Sequence, residues 1–201
     1  MLKRLFDIII CLISLPFLLP FFTIFAIIIK LSSPGPVFYR GLRTGLHGRI
    51  FRIFKFRTMV INAEKIGGGT TALNDFRIFR FGKFLRRYKL DEIPQIINVI
   101  KGDMSIVGPR PELPQYTNQF KGEELIILSV RPGMTDYSSV KYFSLQEIVG
   151  SQNADKIFEE NILKEKNKLR IKYVKEQNFF QDIKLIFQSF ICIFRRIYND
   201  K

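Results

Sequence analysis

Tryptophan is absent from the 201 residues, histidine occurs once, cysteine twice, and acidic residues number 18 against 32 lysines and arginines. Each shortage closes off some chemistry. With His47 alone, inside a glycine-rich turn, the chain offers no basis for a histidine-centred triad or a histidine-rich metal site. Cys11 and Cys192 lie in apolar stretches far apart with no CxxC, so they read as small hydrophobes in a reducing compartment. The glycine run at 67–69 is not followed by GK[ST], which excludes a P-loop. Carboxylates and cations are left to carry the chemistry.

The deficit of acid gives a formal charge of +14, which points to anionic partners: nucleic acid, acidic lipid or phosphorylated substrates. Charge alone does not choose among them. The 21 phenylalanines, in a basic chain whose mean hydropathy is slightly above zero, favour a membrane surface. The length suits one domain with a sizeable core. From residue 5 to 29 the only charged side chain is Asp7, and this run is long enough to cross a hydrocarbon layer. It is too long for a secretory signal and no A-x-A site follows. Lys3 and Arg4 precede it, while Lys30, Arg40 and Arg43 follow, so both flanks carry the positive charge expected on the cytoplasmic side. Pro16 and Pro20 interrupt it. A helix that enters, kinks at Pro20 and returns satisfies both features, and a straight spanning anchor is the alternative.

Two β-rich runs, 37–43 and 50–57, flank the turn 45–48 and predict a hairpin. Alternation puts Lys55 and Arg57 on one strand face and Phe54 and Phe56 on the other. Such a cation pair suits a diphosphate clamp or a merely solvated face. The stretch 76–88 predicts a basic, Phe-rich helix fit for a headgroup region, with Arg80, Lys83 and Arg87 on one side. It runs directly into LDEIPQIINVIKGDMSIVGPRP, residues 90–111. Pro94 suits a first helical turn and Gly102 the position past a helix end, predicting a helix over 94–101 with Asp91 and Glu92 at its N-terminus. Arg110 stands between Pro109 and Pro111. Further helices are expected over 112–128 and 154–175. A final amphipathic helix is expected at the C-terminal end, with Phe180, Ile183, Phe187, Phe190, Phe194 and Ile197 at helical spacing, for burial in the core or for the membrane interface.

The 90–111 stretch resembles, nearly position for position, the core of the bacterial sugar transferases, monotopic phosphoglycosyl transferases that load a sugar phosphate onto a polyprenyl phosphate. The resemblance extends to Lys3-Arg4-Leu5-Phe6-Asp7, Ser33-Pro34-Gly35-Pro36-Val37-Phe38, Lys55-Phe56-Arg57-Thr58-Met59 and Val130-Arg131-Pro132-Gly133-Met134-Thr135. It implies an α+β, mostly helical fold: a re-entrant membrane helix over 1–31, kinked at Pro20, and a compact catalytic domain over 32–201 with a short β-hairpin and amphipathic interfacial helices. It implies ping-pong transfer from a UDP-sugar to undecaprenyl phosphate on the cytoplasmic face of the inner membrane, opening glycoconjugate assembly without nucleic acid. By resemblance Asp91 is the nucleophile and Glu92 assists at the metal or with protons. Mg²⁺ is held by one or both carboxylates, and Lys55, Arg57, Arg110 and Arg131 bind phosphate. The chain departs from the family pattern at Leu19, at Thr135-Asp136-Tyr137-Ser138, which is expected to bear on sugar choice, and at Arg170. A membrane-anchored basic binder without catalysis is the alternative in a different class, and a UDP-sugar hydrolase a third.

Overall fold

The computed structural model describes residues 2–199. Its longest element is the N-terminal helix α1, Leu2–Ser32, which runs unbroken through Pro16 and Pro20. The two prolines therefore do not end the helix. At 1.5 Å per residue its 31 residues measure roughly 46 Å. It does not stand clear of the rest of the chain. Arg4, Asp7, Cys11, Leu18, Phe22, Phe25 and Ile29, spaced by one or two helical turns, face inward along the length. Cys11, Leu18 and Phe22 join one core cluster with Ile53, Ile96, Val99 and Met104, while Phe25 and Ile29 join another with Phe56 and Leu85. The opposite face, including Leu5, Ile13, Phe17, Phe21, Ile24 and Leu31, is exposed.

Polar anchors fix both ends of α1 to the same body. Near the start, Arg4 donates to the carbonyls of Val99 and Ile100 at 2.6 and 3.0 Å, and buried Asp7 accepts from Ser105 Oγ at 2.7 Å. At the other end Ser33 binds Arg57, through its carbonyl at 2.7 Å and its hydroxyl at 2.8 Å.

The expected hairpin forms in two short steps. β1 (Phe38–Tyr39) pairs antiparallel with β4 (Lys55–Phe56), and β2 (Leu42–Thr44) with β3 (Ile50–Arg52), around a turn in which His47 and Gly48 have positive φ. The basic helix is shorter than its sequence pattern, α2 spanning Arg80–Arg87. The predicted helix at 94–101 begins earlier and in two parts. A 3-10 turn, Leu90–Gln95, carries the carboxylates and leads into α3, Ile96–Lys101, which Gly102 closes at φ +91. β5 (Ser105–Val107) then pairs in parallel with β6 (Gly133–Thr135). The helix expected over 112–128 is instead a single α turn, Pro114–Thr117, and a 3-10 segment, Gly122–Ser129.

Beyond β6 come α4 (Tyr137–Lys141), α5 (Leu163–Glu176) and α6 (Phe179–Asn199). Of the two possibilities left open for the last helix, the structure decides against burial of its phenylalanine stripe in the core. Asp182, buried, accepts from Tyr173 Oη at 2.7 Å and pairs with Lys3, while Ser189 bonds Thr135 and Arg196 pairs with Glu147 at 2.6 Å. These, with Leu185 buried in the core beside Val107 and Tyr173, hold α6 on the domain, and Phe180, Phe187, Phe190, Phe194 and Ile197 are left exposed. The fold is mostly helical α+β. Two of its helices, α1 and α6, present wide apolar faces that nothing among the described residues covers.

Candidate active site

Between the hairpin, the end of α2, the 3-10 turn and the Pro-Arg-Pro loop lies a cavity of about 270 Å³, lined by Asp91 and Glu92. Neighbours in sequence, these two carboxylates have opposite surroundings. Glu92 is gripped on both oxygens: Lys55 Nζ donates to Oε1 at 2.9 Å, and Arg110 donates Nη1 to Oε2 at 2.9 Å and Nη2 to Oε1. Burial alone would raise its pKa, but Arg110 and Lys55 hold it well below the usual carboxylate range. Asp91, also buried, is pushed upward, by burial first and then by the charge of Glu92 beside it. Its Oδ1 has no hydrogen-bond partner among the described residues. Glu92 is a fixed, fully ionised anchor. Asp91 is a desolvated carboxylate with an open oxygen, the state suited to a nucleophile.

The loop that carries Arg110 is braced from behind. Pro109 and Pro111 restrict its backbone, and the Arg110 N–H donates to Asp136 Oδ2 at 3.1 Å. Gly108, just past β5, and Gly133, the first residue of β6, touch backbone to backbone: a Cβ on Gly133 would lie 2.0 Å from the Gly108 nitrogen. Only glycine permits that approach. Asp136, fully buried, also caps α4 by accepting from Ser139 N at 2.7 Å and from Ser138 Oγ at 2.8 Å. The segment 135–138, expected to bear on sugar choice, is thus scaffold for Arg110 and does not line the cavity.

The structure brings Lys55 and Arg110 of the four expected phosphate binders to the carboxylates and leaves two elsewhere. Arg57 is placed outside the cavity because β4 stops at Phe56, so the strand alternation that paired it with Lys55 ends one residue too soon. Its guanidinium is spent on Ser33, Pro34 and Pro36, tying the end of α1 to the hairpin. Arg131 likewise lies outside, exposed, donating Nε to the Gly102 carbonyl at 3.0 Å. In this structure both side chains brace the chain.

Other cations take their place. Arg86, Arg87 and Lys89 line the cavity from α2 and its end, Arg43 from the hairpin, Lys166 from α5 and Arg196 from α6. With Lys55 and Arg110 they face the acids Asp91, Glu92, Glu112 and Glu147, an excess of positive charge suited to an anionic ligand. Glu112, held near a pKa of about 2 against its burial by Arg170 and Lys166, accepts from Arg170 at 2.5 Å and occupies that guanidinium. Phe143, Ser144 and Leu145 form part of the wall. Sequence reading missed these residues: they converge from four separate elements, and only the closeness of Arg86, Arg87 and Lys89 to Asp91 was a local signal.

Among the described residues no three His, Cys, Asp or Glu side chains converge as a metal cluster. A cation here would take one or two carboxylates plus substrate oxygens, the habit of Mg²⁺. Asp91, with its open Oδ1, fits that use. Glu92, bound on both oxygens by cations, fits it less well.

Burial lowers the Lys55 pKa to about 8, with Glu92 opposing. As pH rises through about 8 the ammonium loses its proton and Glu92 loses one of its two counter-charges, so turnover should fall on that alkaline limb. Lys55→Arg keeps its charge far above this pH, and its pH–rate profile should lack the limb whatever its absolute rate. An unshifted limb in the Arg variant would assign it to another group.

Residues 1–196 match the model of the bacterial sugar transferase family. The chain is 47% identical over 150 residues, 70% of its length, to a UDP-glucose:undecaprenyl-phosphate glucose-1-phosphate transferase of Xanthomonas campestris pv. campestris. It is 33% identical over 203 residues, 99% of its length, to the Escherichia coli (strain K12) protein of the same name. To the UDP-N-acetylgalactosamine-undecaprenyl-phosphate N-acetylgalactosaminephosphotransferase of Aeromonas hydrophila it is 42% identical over 141 residues, 69% of its length. It spans 30%, 41% and 33% of those three relatives respectively.

Proposed function

The chain belongs to the bacterial sugar transferase family, and from that premise we propose that it transfers a sugar 1-phosphate from a UDP-sugar to undecaprenyl phosphate through a covalent intermediate on Asp91. The observation that carries this reading is a buried carboxylate with one unpartnered oxygen, set in a cavity where cations outnumber acids. Donor diphosphate and acceptor phosphate are both anions and repel each other, so their direct encounter is costly. A protein carboxylate divides the problem. An Asp91 oxygen attacks the sugar-proximal phosphorus, the P–O bond to UMP breaks, and UMP leaves with the bonding pair. After UMP departs, an oxygen of the lipid phosphate attacks the same phosphorus, the acyl-phosphate bond breaks, and the Asp91 carboxylate is restored. Neither step needs a histidine; both need charge neutralised where it develops, which Lys55, Lys89, Arg86 and Arg110 are placed to do. Mg²⁺, when bound, would add Lewis-acid polarisation of the diphosphate oxygens.

The acceptor is a lipid phosphate, and the exposed apolar faces of α1 and α6 support a seat in the membrane, which we place at the cytoplasmic face of the inner membrane because UDP-sugars are cytoplasmic. The reading extends to a first membrane step of glycoconjugate assembly. UMP release from a panel of UDP-sugars, with undecaprenyl phosphate and Mg²⁺ in detergent or nanodiscs, tests it. No turnover on any donor would sink the reading, and free sugar phosphate formed without lipid would mark a hydrolase instead. A non-catalytic anion binder is disfavoured because these cations converge on a buried acid.

Arg110→Lys isolates the fork geometry. A lysine cannot donate to both Glu92 oxygens at once, and the two prolines limit compensating movement. The expected result is a loss of turnover of about 10²-fold with the protein still folded. Unchanged kinetics with a lowered Tm would make the fork structural only.

A further inference from the structure

Gln95 closes the 3-10 turn that bears Asp91 and Glu92, and it lines the same cavity. Its side chain is buried, with 1% of the residue exposed, yet both Nε2 and Oε1 lack a hydrogen-bond partner among the described residues. The two ends of the amide are equally unpaired, so the arrangement does not depend on which end is oxygen. Leaving one buried donor and one buried acceptor unpaired costs more than an apolar residue of similar volume, such as methionine, would. Buried amides are ordinarily satisfied, and the residue that carries this one is part of the cavity wall.

We propose that Gln95 is a specificity-determining residue that pairs through both ends of its amide with the transferred sugar, at the hydroxyl or acetamido group adjacent to the anomeric carbon. The inference rests on the proposed transfer reaction and deepens it. Phosphate oxygens only accept hydrogen bonds, so they satisfy at most Nε2. The ligand group must present a donor beside an acceptor, as a hydroxyl or an acetamido N–H and carbonyl do. Gln95 stands four residues on from Asp91 in the 3-10 turn, about 8 Å along the axis. A sugar phosphorus under attack by Asp91 holds the anomeric oxygen, and therefore the neighbouring ring substituent, within reach of that turn. The uracil lies a ribose and a second phosphate further away.

Gln95→Met keeps the volume and removes both polar atoms. Purified full-length wild type and variant are compared on UDP-glucose, UDP-galactose, their N-acetylamino counterparts, and the 2-deoxy analogues of UDP-glucose and UDP-galactose, by UMP release. Wild type should prefer the substituted donors over the 2-deoxy analogues by about tenfold or more, since a site built for a polar group rejects the analogue that lacks it. In Gln95→Met the substituted donors should fall, mainly through KM, to the level of the 2-deoxy ones, which should be unaffected. Tm without ligand should stay level or rise. Independent losses, with the variant still discriminating as wild type does, would show that the amide contacts something else. A lowered Tm with unchanged kinetics would show that it is structural and water-satisfied. Absence of wild-type turnover on every donor would remove the transfer reading itself, a result distinct from either.

Discussion

Asp91→Asn should abolish UMP release, by on the order of 10⁴-fold or more, while leaving the protein at least as stable as wild type at neutral pH. Asparagine keeps the shape but its amide oxygen does not form an acyl-phosphate by displacing UMP. The stability half of the prediction follows from the direction of the Asp91 pKa. Burial, then the charge of Glu92, raises the carboxyl above its ordinary 3.8. The contribution of a group so shifted is fully present below its unfolded pKa and is lost as pH rises through the folded one. At neutral pH, above the unfolded pKa, Asp91 therefore costs stability, and Asn removes that cost along with the repulsion of Glu92. Two measurements on one preparation decide the matter: UMP release on the donor panel, and Tm across pH 4–8. Near-wild-type turnover would eliminate Asp91 as nucleophile, whereas a large fall in Tm would show that its carboxylate holds the fold.

That separation of roles between adjacent acids was only partly legible in the sequence. The run 83–92 places cations next to carboxylates within ten residues, and local adjacency of this kind survives folding: Arg86, Lys89, Asp91 and Glu92 all reach the cavity. Pro94 and Gly102 marked the helix well enough, since a terminal glycine with φ of +91 is a local backbone requirement. What failed was inference from periodicity beyond its reach. Alternation from Lys55 to Arg57 assumed a strand that the chain ends at Phe56, and a two-residue strand does not enforce a two-residue period. The apolar stripe on α6 was read correctly as a stripe, but its direction was set by Asp182, Ser189 and Arg196, whose partners lie on other elements. Lys166 and Arg196 joined the cavity for the same reason, through packing that no window of sequence contains.

A cysteine at residue 2, in a background lacking Cys11 and Cys192, should be shielded from a membrane-impermeant thiol reagent in intact cells and become reactive once the cells are permeabilised. Leu2 is exposed in the structure, so the shielding would report sidedness and not burial. The argument comes from the two ends of α1. Arg4 and Asp7 are bonded to Val99, Ile100 and Ser105, and Ser33 to Arg57, so both ends rest on one globular body. A straight helix crossing roughly 30 Å of hydrocarbon would carry Arg4 and Asp7 to the far side, breaking bonds that include a buried carboxylate. The apolar face opposite those anchors belongs in lipid, and both termini of the helix then stay with the domain. Pro16 and Pro20 each remove a main-chain hydrogen bond from the segment and lower the cost of bending it. Changing both to Leu straightens and strengthens the helix but leaves its anchors in place, so protection should be reduced only in part. Adding Asp7→Leu removes the buried one of the anchors near Leu2 and lengthens the apolar run, and the triple variant should insert across the membrane and label from outside. Labelling of the native arrangement in intact cells would defeat the two-ends-inside topology, and full protection of the triple variant would show that neither the prolines nor Asp7 determines it.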